Sequence, residues 1–401
     1  MHRAQRPRPG APALRRRRRR PWLLPSLLPS LLLGVAALAW PWPAAGQNPA
    51  DLVRHWQSEW PRTDFARHTV PLAEIVSGGP PRDGIPPIDR PRFVGQAQAD
   101  AWLGEQEPVL VFAQGGEARA YPLQILIWHE IVNDEVAGRP IAVTFCPLCN
   151  SALVFDRRVQ GRVLDFGTTG KLRNSDLVMW DRQTESWWQQ LTGEAIVGAL
   201  AGTQLAFLPA PLVSYATFKA GYPRGRVLSR ETGHFRDYGS NPYAGYDSPD
   251  NTAPFLLRGK PDARLHPVER VVALELGGEA RAYPYRRLEQ AGAVNDRLGG
   301  RDVVVLYRRG TRSALDGHAI AQSRDVGTGV VYERTVEGRT LTFAWEGEAL
   351  VDRETGSRWS LLGEAVAGPL AGRRLTPVPH GNHFAFAWLA FRPHSQIYAE
   401  P

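Results

Sequence analysis

Residues 115–122 read Gly-Gly-Glu-Ala-Arg-Ala-Tyr-Pro, and residues 277–284 repeat them letter for letter, a shift of 277 − 115 = 162 positions. Asn133-Asp134 recurs at Asn295-Asp296 with the same shift. The chain therefore contains two related stretches that can be aligned with each other. Residues that are identical in the two copies are expected to stabilise a fold that the copies share. Positions where only one copy has Cys or His are the candidates for a functional site.

The two copies differ in their reactive side chains. The only two cysteines, Cys146 and Cys149, lie in the first copy, and an arginine and a threonine stand opposite them in the second. His129 likewise stands opposite Ala291. The joint loss of these groups from the second copy is expected if they form one site.

Short apolar runs separated by turn residues predict the fold class. Residues 108–112 and 140–145 have the length and composition of strands, and later pairs of such runs flank Gly161 and residues 181–185, as in β-hairpins. Pro122 is expected to begin a short helix that runs to about Ile131, because proline is favoured in a first helical turn. We therefore predict a mainly β (α+β) fold, with two tandem copies of one antiparallel β-rich domain and a few short helices.

The repeat also sets the predicted domain boundaries. They are an export signal at 1–46, a lead-in segment at 47–106, the first copy with the Cys-x-x-Cys site at 107–228, a connecting segment at 229–268 and the second copy at 269–401. The connecting segment is too rich in Gly and Tyr for a plain linker. We expect it to fold over one of the copies.

Residues 1–46 have the layout of an export signal. Nine arginines precede an apolar run at 22–40 and the small residues 44–46. The predicted location is therefore periplasmic or secreted. The alternative is an uncleaved segment that anchors the protein in a membrane, but Pro25 and Pro29 interrupt the run and it is barely long enough to span.

The charge balance argues against nucleic-acid binding. The whole chain carries 48 basic and 40 acidic side chains, but the nine arginines of the signal leave 48 − 9 = 39 basic side chains in the mature protein. No concentrated basic surface is then indicated, and such a surface is what binding to nucleic acid requires. An unidentified small molecule or other extracytoplasmic ligand is the expected partner.

The motif Cys146-Pro147-Leu148-Cys149 has three interpretations. A disulfide would close a loop of only four residues and stabilise the fold by roughly 2 kcal/mol. A thioredoxin-type redox pair would need the first cysteine at a helix N-terminus, and the following residues 151–155 look like a strand instead. A metal site would use both thiolates, with the imidazole of His129 as third ligand, and would suit zinc or copper.

An insertion distinguishes the copies close to these cysteines. Six extra residues lie between Phe166 and Asp181, within a polar stretch that the second copy lacks. One interpretation is a wall beside the cysteines that holds an anionic or carbonyl-bearing ligand. The other is a solvated hairpin loop. The candidate ligand-binding residues of this stretch are Lys171, Arg173, Asn174, Ser175 and Asp176.

Five motifs in order resemble an exported bacterial and archaeal family, the domain of unknown function 3179. These motifs are residues 81–87 (PRDGIPP), 129–134 (HEIVND), 144–150 (TFCPLCN), 170–175 (GKLRNS) and 238–243 (YGSNPY). The resemblance covers nearly all of the mature chain. It implies kinship without an established activity.

The sequence thus predicts an exported protein with a Cys-Cys-His site in its first copy, formed by Cys146, Cys149 and His129. This site would bind a transition metal or perform thiol redox chemistry. The alternative is a non-enzymatic extracytoplasmic binding protein with a structural disulfide and a ligand cleft between the copies. The pattern does not decide whether the protein is an enzyme.

Overall fold

Strands dominate the protein. The structure is a computed structural model that describes residues 49–399, so the predicted export signal lies outside the described residues. Strands account for 40% of the structure and helices for 14%, and many of the sheets are antiparallel, which confirms the predicted mainly β fold. No helix within residues 49–399 is long and apolar enough to cross a membrane.

Before residue 229, short strands alternate with turns and four α-helices. The strands are β1 (Ile75–Ser77), β2 (Phe93–Val94), β3 (Pro108–Gln114), β4 (Glu117–Pro122), β5 (Ile131–Val136), β6 (Arg139–Cys146), β7 (Ser151–Asp156), β8 (Arg158–Val159), β9 (Arg162–Val163), β10 (Phe166–Arg173), β11 (Asp176–Asp181), β12 (Trp187–Gln189), β13 (Glu194–Val197), β14 (Phe207–Leu208), β15 (Leu212–Ser214) and β16 (Arg226–Leu228). The helices are α1 (Pro49–Glu59), α2 (Gln96–Ala99), α3 (Leu123–His129) and α4 (Tyr215–Gly221), with 3-10 turns at Leu72–Glu74 and Pro147–Cys149.

After residue 268, a second series of elements follows. The strands are β17 (Arg270–Leu276), β18 (Glu279–Pro284), β19 (Ala293–Leu298), β20 (Arg301–Arg308), β21 (Thr328–Glu333), β22 (Thr335–Val336), β23 (Arg339–Thr340), β24 (Phe343–Glu346), β25 (Ala349–Asp352), β26 (Arg358–Trp359), β27 (Ala365–Ala367), β28 (Thr376–Pro377), β29 (Gly381–Phe384) and β30 (Gln396–Ile397). The helices are α5 (Tyr285–Ala291) and α6 (Ala385–Phe391), with a 3-10 turn at Ile320–Gln322.

The sheets of the two series have corresponding strand orders. The first series forms β15-β3-β4-β16-β2, β14-β7-β6-β5 and β1-β10-β11-β12-β13. The second forms β29-β17-β18-β30, β28-β21-β20-β19 and β24-β25-β26-β27. Apart from the additional edge strands β1 and β2, the two sets match strand for strand. A parallel pair occurs in each, β4 with β16 and β18 with β30.

The repeated octapeptide forms the same hairpin turn in both places. Gly115 and Gly116 have φ of 58° and 83°, and Gly277 and Gly278 have φ of 57° and 80°. Glycine adopts this left-handed region without the steric penalty that a Cβ atom brings. The turn thus explains why two adjacent glycines stand between the paired strands in each series of elements.

Helix α3 ends two residues earlier than predicted. It starts directly after Pro122 and stops at His129, because Glu130 adopts a left-handed backbone with φ of 58° and ψ of −29°. A left-handed residue cannot continue a right-handed helix, and the chain passes directly into β5. His129 therefore has a helical backbone and Glu130 a left-handed one, so these two neighbouring side chains leave the main chain in different directions.

One apolar core joins the two series. Phe145 of the first and Val271 and Phe384 of the second belong to the same buried cluster. The side chain of Asn150 also donates a hydrogen bond of 2.9 Å to the carbonyl oxygen of Asn382. The described residues accordingly form one compact unit.

The inserted residues lengthen one hairpin instead of forming a separate loop. Strands β10 and β11 with their turn span residues 166–181, whereas β24 and β25 with theirs span residues 343–352. The extension is largely buried, and its register shifts between Thr168 and Lys171. The interpretation as a solvated loop is therefore wrong for most of this stretch.

Gly170 allows the lead-in segment to approach this hairpin. Its φ is 69°, and a Cβ atom added there would lie 1.8 Å from the carbonyl oxygen of Pro80. We expect Gly170→Ala to lower the free energy of unfolding by at least about 2 kcal/mol, since a left-handed Cβ alone costs about 1–2 kcal/mol. Urea titration followed by tryptophan fluorescence would measure the loss.

A matched glycine separates backbone strain from steric overlap. Gly161 has φ of 77° with nothing within 4 Å of an added Cβ atom. Gly161→Ala should therefore show only the smaller backbone effect. Equal losses in the two variants would contradict the close approach of Pro80.

Candidate metal centre

The two cysteines lie on a tight loop between antiparallel strands. Strand β6 ends at Cys146, a single 3-10 turn covers Pro147–Cys149, and β7 begins at Ser151. Asn150, between the 3-10 turn and β7, has a left-handed backbone with φ of 49°. Its N–H donates a 3.1 Å hydrogen bond to the carbonyl oxygen of Pro147. The loop is thus short and fixed at both ends by strand pairing.

Asp176 completes a cluster with the two cysteines. The ligand atoms of Cys146, Cys149 and Asp176 all lie within 4.8 Å of one another, and all three residues are buried. Both cysteines are free thiols. Asp176 is carried to this place by the extended β10–β11 hairpin, because the turn at Asn174 and Ser175, with φ of 49° and 70°, directly precedes it.

The hydrogen bonds around Asp176 leave one of its oxygens free to bind. Its Oδ2 accepts hydrogen bonds from Gln189 Nε2 at 2.6 Å and from the N–H of Leu191 at 2.9 Å. Its Oδ1 is buried and meets no N–H or O–H donor among the described residues, so the neighbouring groups that can interact with it are the two thiols. Buried polar atoms are nearly always paired, and a carboxylate oxygen beside two thiols is a donor set that could hold a cation.

Burial makes ionisation of this cluster unfavourable without a cation. It raises the pKa of Asp176 to about 6 and the pKa of the Cys146 thiol, and it raises the pKa of the Cys149 thiol well above its ordinary value. Burial and then the nearby charge of Asp176 raise the pKa of Glu130 to about 8. A metal ion would reverse these directions, because a nearby positive charge favours the ionised forms.

The structure does not bring His129 into this cluster. One ring nitrogen, Nδ1, lies 2.7 Å from the carbonyl oxygen of Pro86, and the other, Nε2, lies 2.6 Å from the hydroxyl of Tyr238. A carbonyl accepts only, so Nδ1 carries the proton and Tyr238 donates to Nε2. Both nitrogens are therefore occupied, and Asp176 stands where the sequence suggested a histidine ligand.

Glu130 is a site residue that sequence reasoning missed. It follows His129 directly, but its left-handed backbone separates the two side chains, and the Glu130 carboxyl interacts electrostatically with Asp176. The residue at the shift of 162 is Gly292, which also ends its helix with a positive φ, 65°. In the alignment of the two related stretches, Glu130 stands opposite Gly292. A glutamate at a position where the other stretch has a helix-ending glycine was the sequence signal for this residue.

A cleft of about 620 Å³ lies beside the cluster. Leu148, between the two cysteines, and Leu177, next to Asp176, line it together with Glu130. Tyr243 and Tyr246 of the connecting segment line it as well. Glu130 is among the lining residues of this cleft, whereas Cys146, Cys149 and Asp176 are not.

The five candidate residues of the inserted stretch have different positions. Lys171 lines the cleft, and its Nζ lies 3.3 Å from Glu59 Oε2. Arg173 pairs instead with Glu74 at 2.8 Å, and Asn174 lies in the hairpin turn. Ser175 uses its carbonyl oxygen to accept the Cys146 thiol at 3.8 Å. Lys171, Ser175 and Asp176 thus lie next to the cluster or its cleft, whereas Arg173 is held by a separate ion pair.

A second cleft, of about 880 Å³, lies between the two series of elements. Its lining includes Arg119 and Arg226 from the first series and Tyr332 and Arg374 from the second. Arg119 and Arg374 form ion pairs with Asp134 and Glu364. These arginines are therefore partly neutralised by the protein itself.

Comparison with known proteins shows the family and no activity. The chain is not detectably similar to any curated protein or to any solved structure. A family model described as "Protein of unknown function (DUF3179)" matches residues 82–395, which include the cysteine loop, the extended hairpin and both series of elements. This chain belongs to the DUF3179 family of proteins of unknown function.

Proposed function

We propose that Cys146, Cys149 and Asp176 bind one zinc ion. The observation that carries this proposal is the group of three buried ligand atoms, from two thiols and one carboxylate, within 4.8 Å of one another. Zinc accepts both sulfur and carboxylate oxygen, whereas copper(I) favours sulfur throughout. The Oδ1 of Asp176, which meets no N–H or O–H donor among the described residues, supports the same conclusion.

Thiol redox chemistry is the less favoured function of the pair. Reactive thiols need a lowered pKa, which a helix N-terminus or a neighbouring cation supplies. Here burial raises the pKa of both Cys146 and Cys149, and the 3-10 turn that follows Cys146 has only three residues. Buried thiols with a raised pKa stay protonated when no metal is bound, and they lose their protons when a metal ion binds to the sulfur atoms.

A non-enzymatic binding protein is the second candidate. The cleft of about 880 Å³ between the two series supports it. The structural disulfide that accompanied this interpretation has no support, because both cysteines are free thiols. Ligand binding in that cleft would leave the cysteine cluster without a role.

The proposal includes a tandem duplication and export. The corresponding strand orders and the repeated octapeptide support two copies of one module, the second of which helps to hold the cysteine loop through Asn382. The layout of residues 1–46 supports a periplasmic or secreted location. The charge of the remaining chain favours a small-molecule ligand over nucleic acid.

Metal analysis of the purified mature protein tests the zinc site. We expect close to one zinc ion per chain by mass spectrometry of the metal, and reloading after chelation. His129→Ala is the matched control, because the hydrogen bonds of His129 place it outside the ligand set. It should keep full zinc content. Protein with no metal that takes up none after reduction would refute the proposal.

A further inference from the structure

Segments that are distant in sequence meet at the cleft of about 620 Å³. Pro80 and Ile85 belong to the lead-in segment, and Leu148 belongs to the cysteine loop. Most of the other lining residues come from the extended β10–β11 hairpin and from the connecting segment. Small-molecule sites usually have volumes of roughly 300–1,000 Å³, so this cleft is large enough for a small organic ligand.

Hydrogen bonds fix the connecting segment beside the cleft. Ser175 Oγ donates to the carbonyl oxygen of Phe255 at 2.6 Å, and the N–H of Phe255 donates to the hydroxyl oxygen of Tyr246 at 3.2 Å. Asn251 Nδ2 donates to the carbonyl oxygen of Tyr246 at 2.8 Å. Tyr246, Asn251 and Phe255 all line the cleft, so this part of the lining is formed without a ligand.

The cleft leaves apolar surface open to water. Phe255 is 45% exposed, although most of the large hydrophobic residues that the structure describes are buried. Leu148, Tyr243 and Tyr246 are partly exposed and line the same cleft. Contiguous exposed apolar surface often marks a ligand-binding groove. A ligand that covered these side chains would remove their surface from water, which favours binding.

Little charge faces the cleft. Its charged lining residues are Glu130 and Lys171, which are only 6% and 7% exposed. The Nζ of Lys171 lies 3.3 Å from Glu59 Oε2, and Arg173 of the same hairpin is paired with Glu74. An anionic ligand, which the sequence of the inserted stretch suggested, would therefore find these cations already paired. An uncharged ligand is favoured, because placing an unpaired charge against apolar surface is costly.

Two parts of the lining have no counterpart in the second series of elements. Gly310 stands 162 positions after Leu148 and has no side chain to line a cleft. The hairpin of β24 and β25 is also shorter than that of β10 and β11. Features that the two series share serve their common architecture, so the features that only the first has are candidates for function.

Tyr243 offers a polar group to a ligand. It lines the cleft, and its hydroxyl forms no hydrogen bond with another residue between 49 and 399. A phenolic hydroxyl can donate one hydrogen bond and accept another. A small number of polar groups in a mainly apolar site fixes the orientation of a ligand.

We propose that this cleft binds an uncharged small molecule that has an aromatic ring and one hydrogen-bonding group. The ring packs against Phe255 and Leu148, and the polar group bonds with the hydroxyl of Tyr243. The three proposed zinc ligands do not line the cleft, so this binding site goes beyond the proposed function and does not depend on it.

The test uses 1-naphthamide, which carries a neutral amide on an aromatic ring, and the mature protein with and without zinc. Saturation-transfer NMR should show binding in both states, with a dissociation constant of about 0.1–1 mM. Charged analogues of the same shape, 1-naphthoate and 1-naphthylmethylammonium, should bind at least about tenfold more weakly. Tyr243→Phe should weaken the binding of 1-naphthamide by about 3- to 10-fold.

A matched pair of variants locates the probe. Ala253 lines this cleft and Ala113 lines the cleft of about 880 Å³, and both alanines are exposed, so that neither substitution disturbs the core. Ala253→Trp should weaken binding by at least about tenfold, because the indole occupies the cleft. Ala113→Trp should bind 1-naphthamide as the wild type does.

The opposite results would overturn the proposal. Wild type that does not bind 1-naphthamide at 1 mM, or equal binding by wild type and Ala253→Trp, would show that this cleft is not the site. Equal or tighter binding of either charged analogue would overturn the ligand class, and unchanged affinity in Tyr243→Phe would overturn the role of the hydroxyl. Each of these results leaves the zinc content of the protein, and with it the proposed function, unaffected.

Discussion

Cys146→Ser is expected to lower zinc affinity by about 100- to 1000-fold. Structural zinc sites, which have four protein ligands, bind with roughly 10–16 kcal/mol, so a single ligand contributes on the order of 3 kcal/mol or more. Serine keeps the size of the side chain and removes the soft sulfur donor. Competition with a chromophoric zinc chelator would measure the affinities of wild type and variant at one pH.

Asp176→Asn makes the complementary test of the oxygen ligand. Asparagine keeps the shape of the side chain and an oxygen atom, but it removes the negative charge beside the two thiols. We expect an intermediate loss of affinity, smaller than for Cys146→Ser. Unchanged affinity in both variants would mean that zinc binds elsewhere.

Asp247→Ala is expected to destabilise the protein by about 3–5 kcal/mol, the usual effect of leaving a buried charge without its partner. Its Oδ2 accepts hydrogen bonds from Arg270 at 2.6 Å and from Ser313 Oγ at 2.6 Å, and both charged side chains are buried. Asp247 follows Tyr246, so the same ion pair fixes the connecting segment beside the cleft. Chemical denaturation would measure the loss.

The pH dependence of this contribution has a definite sign. Burial alone would raise the pKa of Asp247, but the charge of Arg270 and the surrounding hydrogen bonds outweigh it and lower the pKa below 3.8. A lowered folded-state pKa gives stability that is fully present above the unfolded value and is lost as pH falls through the folded value. The difference between wild type and Asp247→Ala should therefore be constant near neutral pH and shrink below about pH 4.

Arg324 provides the matched control for the buried ion pair. It also lies 3.0 Å from Asp247, but its side chain is 40% exposed. Arg324→Ala should cost at most about 1 kcal/mol, as exposed ion pairs usually do. A loss in Asp247→Ala no larger than this would contradict the anchoring role of the pair with Arg270.

Local sequence patterns predicted the cysteine loop because local geometry forms it. An apolar strand ends at Cys146, a proline follows, and Asn150 takes the left-handed position, so all the determinants lie within five residues. The inserted stretch could also be recognised from the sequence, because the corresponding part of the second copy is shorter. Its burial could not be predicted, because the helix and loops that cover it come from residues distant in sequence.

His129 and Glu130 show where the sequence was insufficient. Cys and His are strong signals by residue type, and their joint absence from the second copy favoured a Cys-Cys-His site. The outcome depended on one backbone angle at the end of α3, which directs His129 to Tyr238 and Glu130 to the cleft. The correspondence of Glu130 with Gly292 in the repeat alignment indicated this backbone angle. It would have been noticed by comparing the glycine positions of the two copies and not only their reactive side chains.

X-ray absorption spectroscopy at the zinc edge tests the central claim most directly. For the zinc-loaded mature protein we predict two sulfur ligands at about 2.3 Å together with oxygen ligands at about 2.0–2.2 Å. Cys146→Ser should show one sulfur at most. Zinc coordinated only by nitrogen and oxygen, with no sulfur ligand, would contradict a centre formed by Cys146, Cys149 and Asp176.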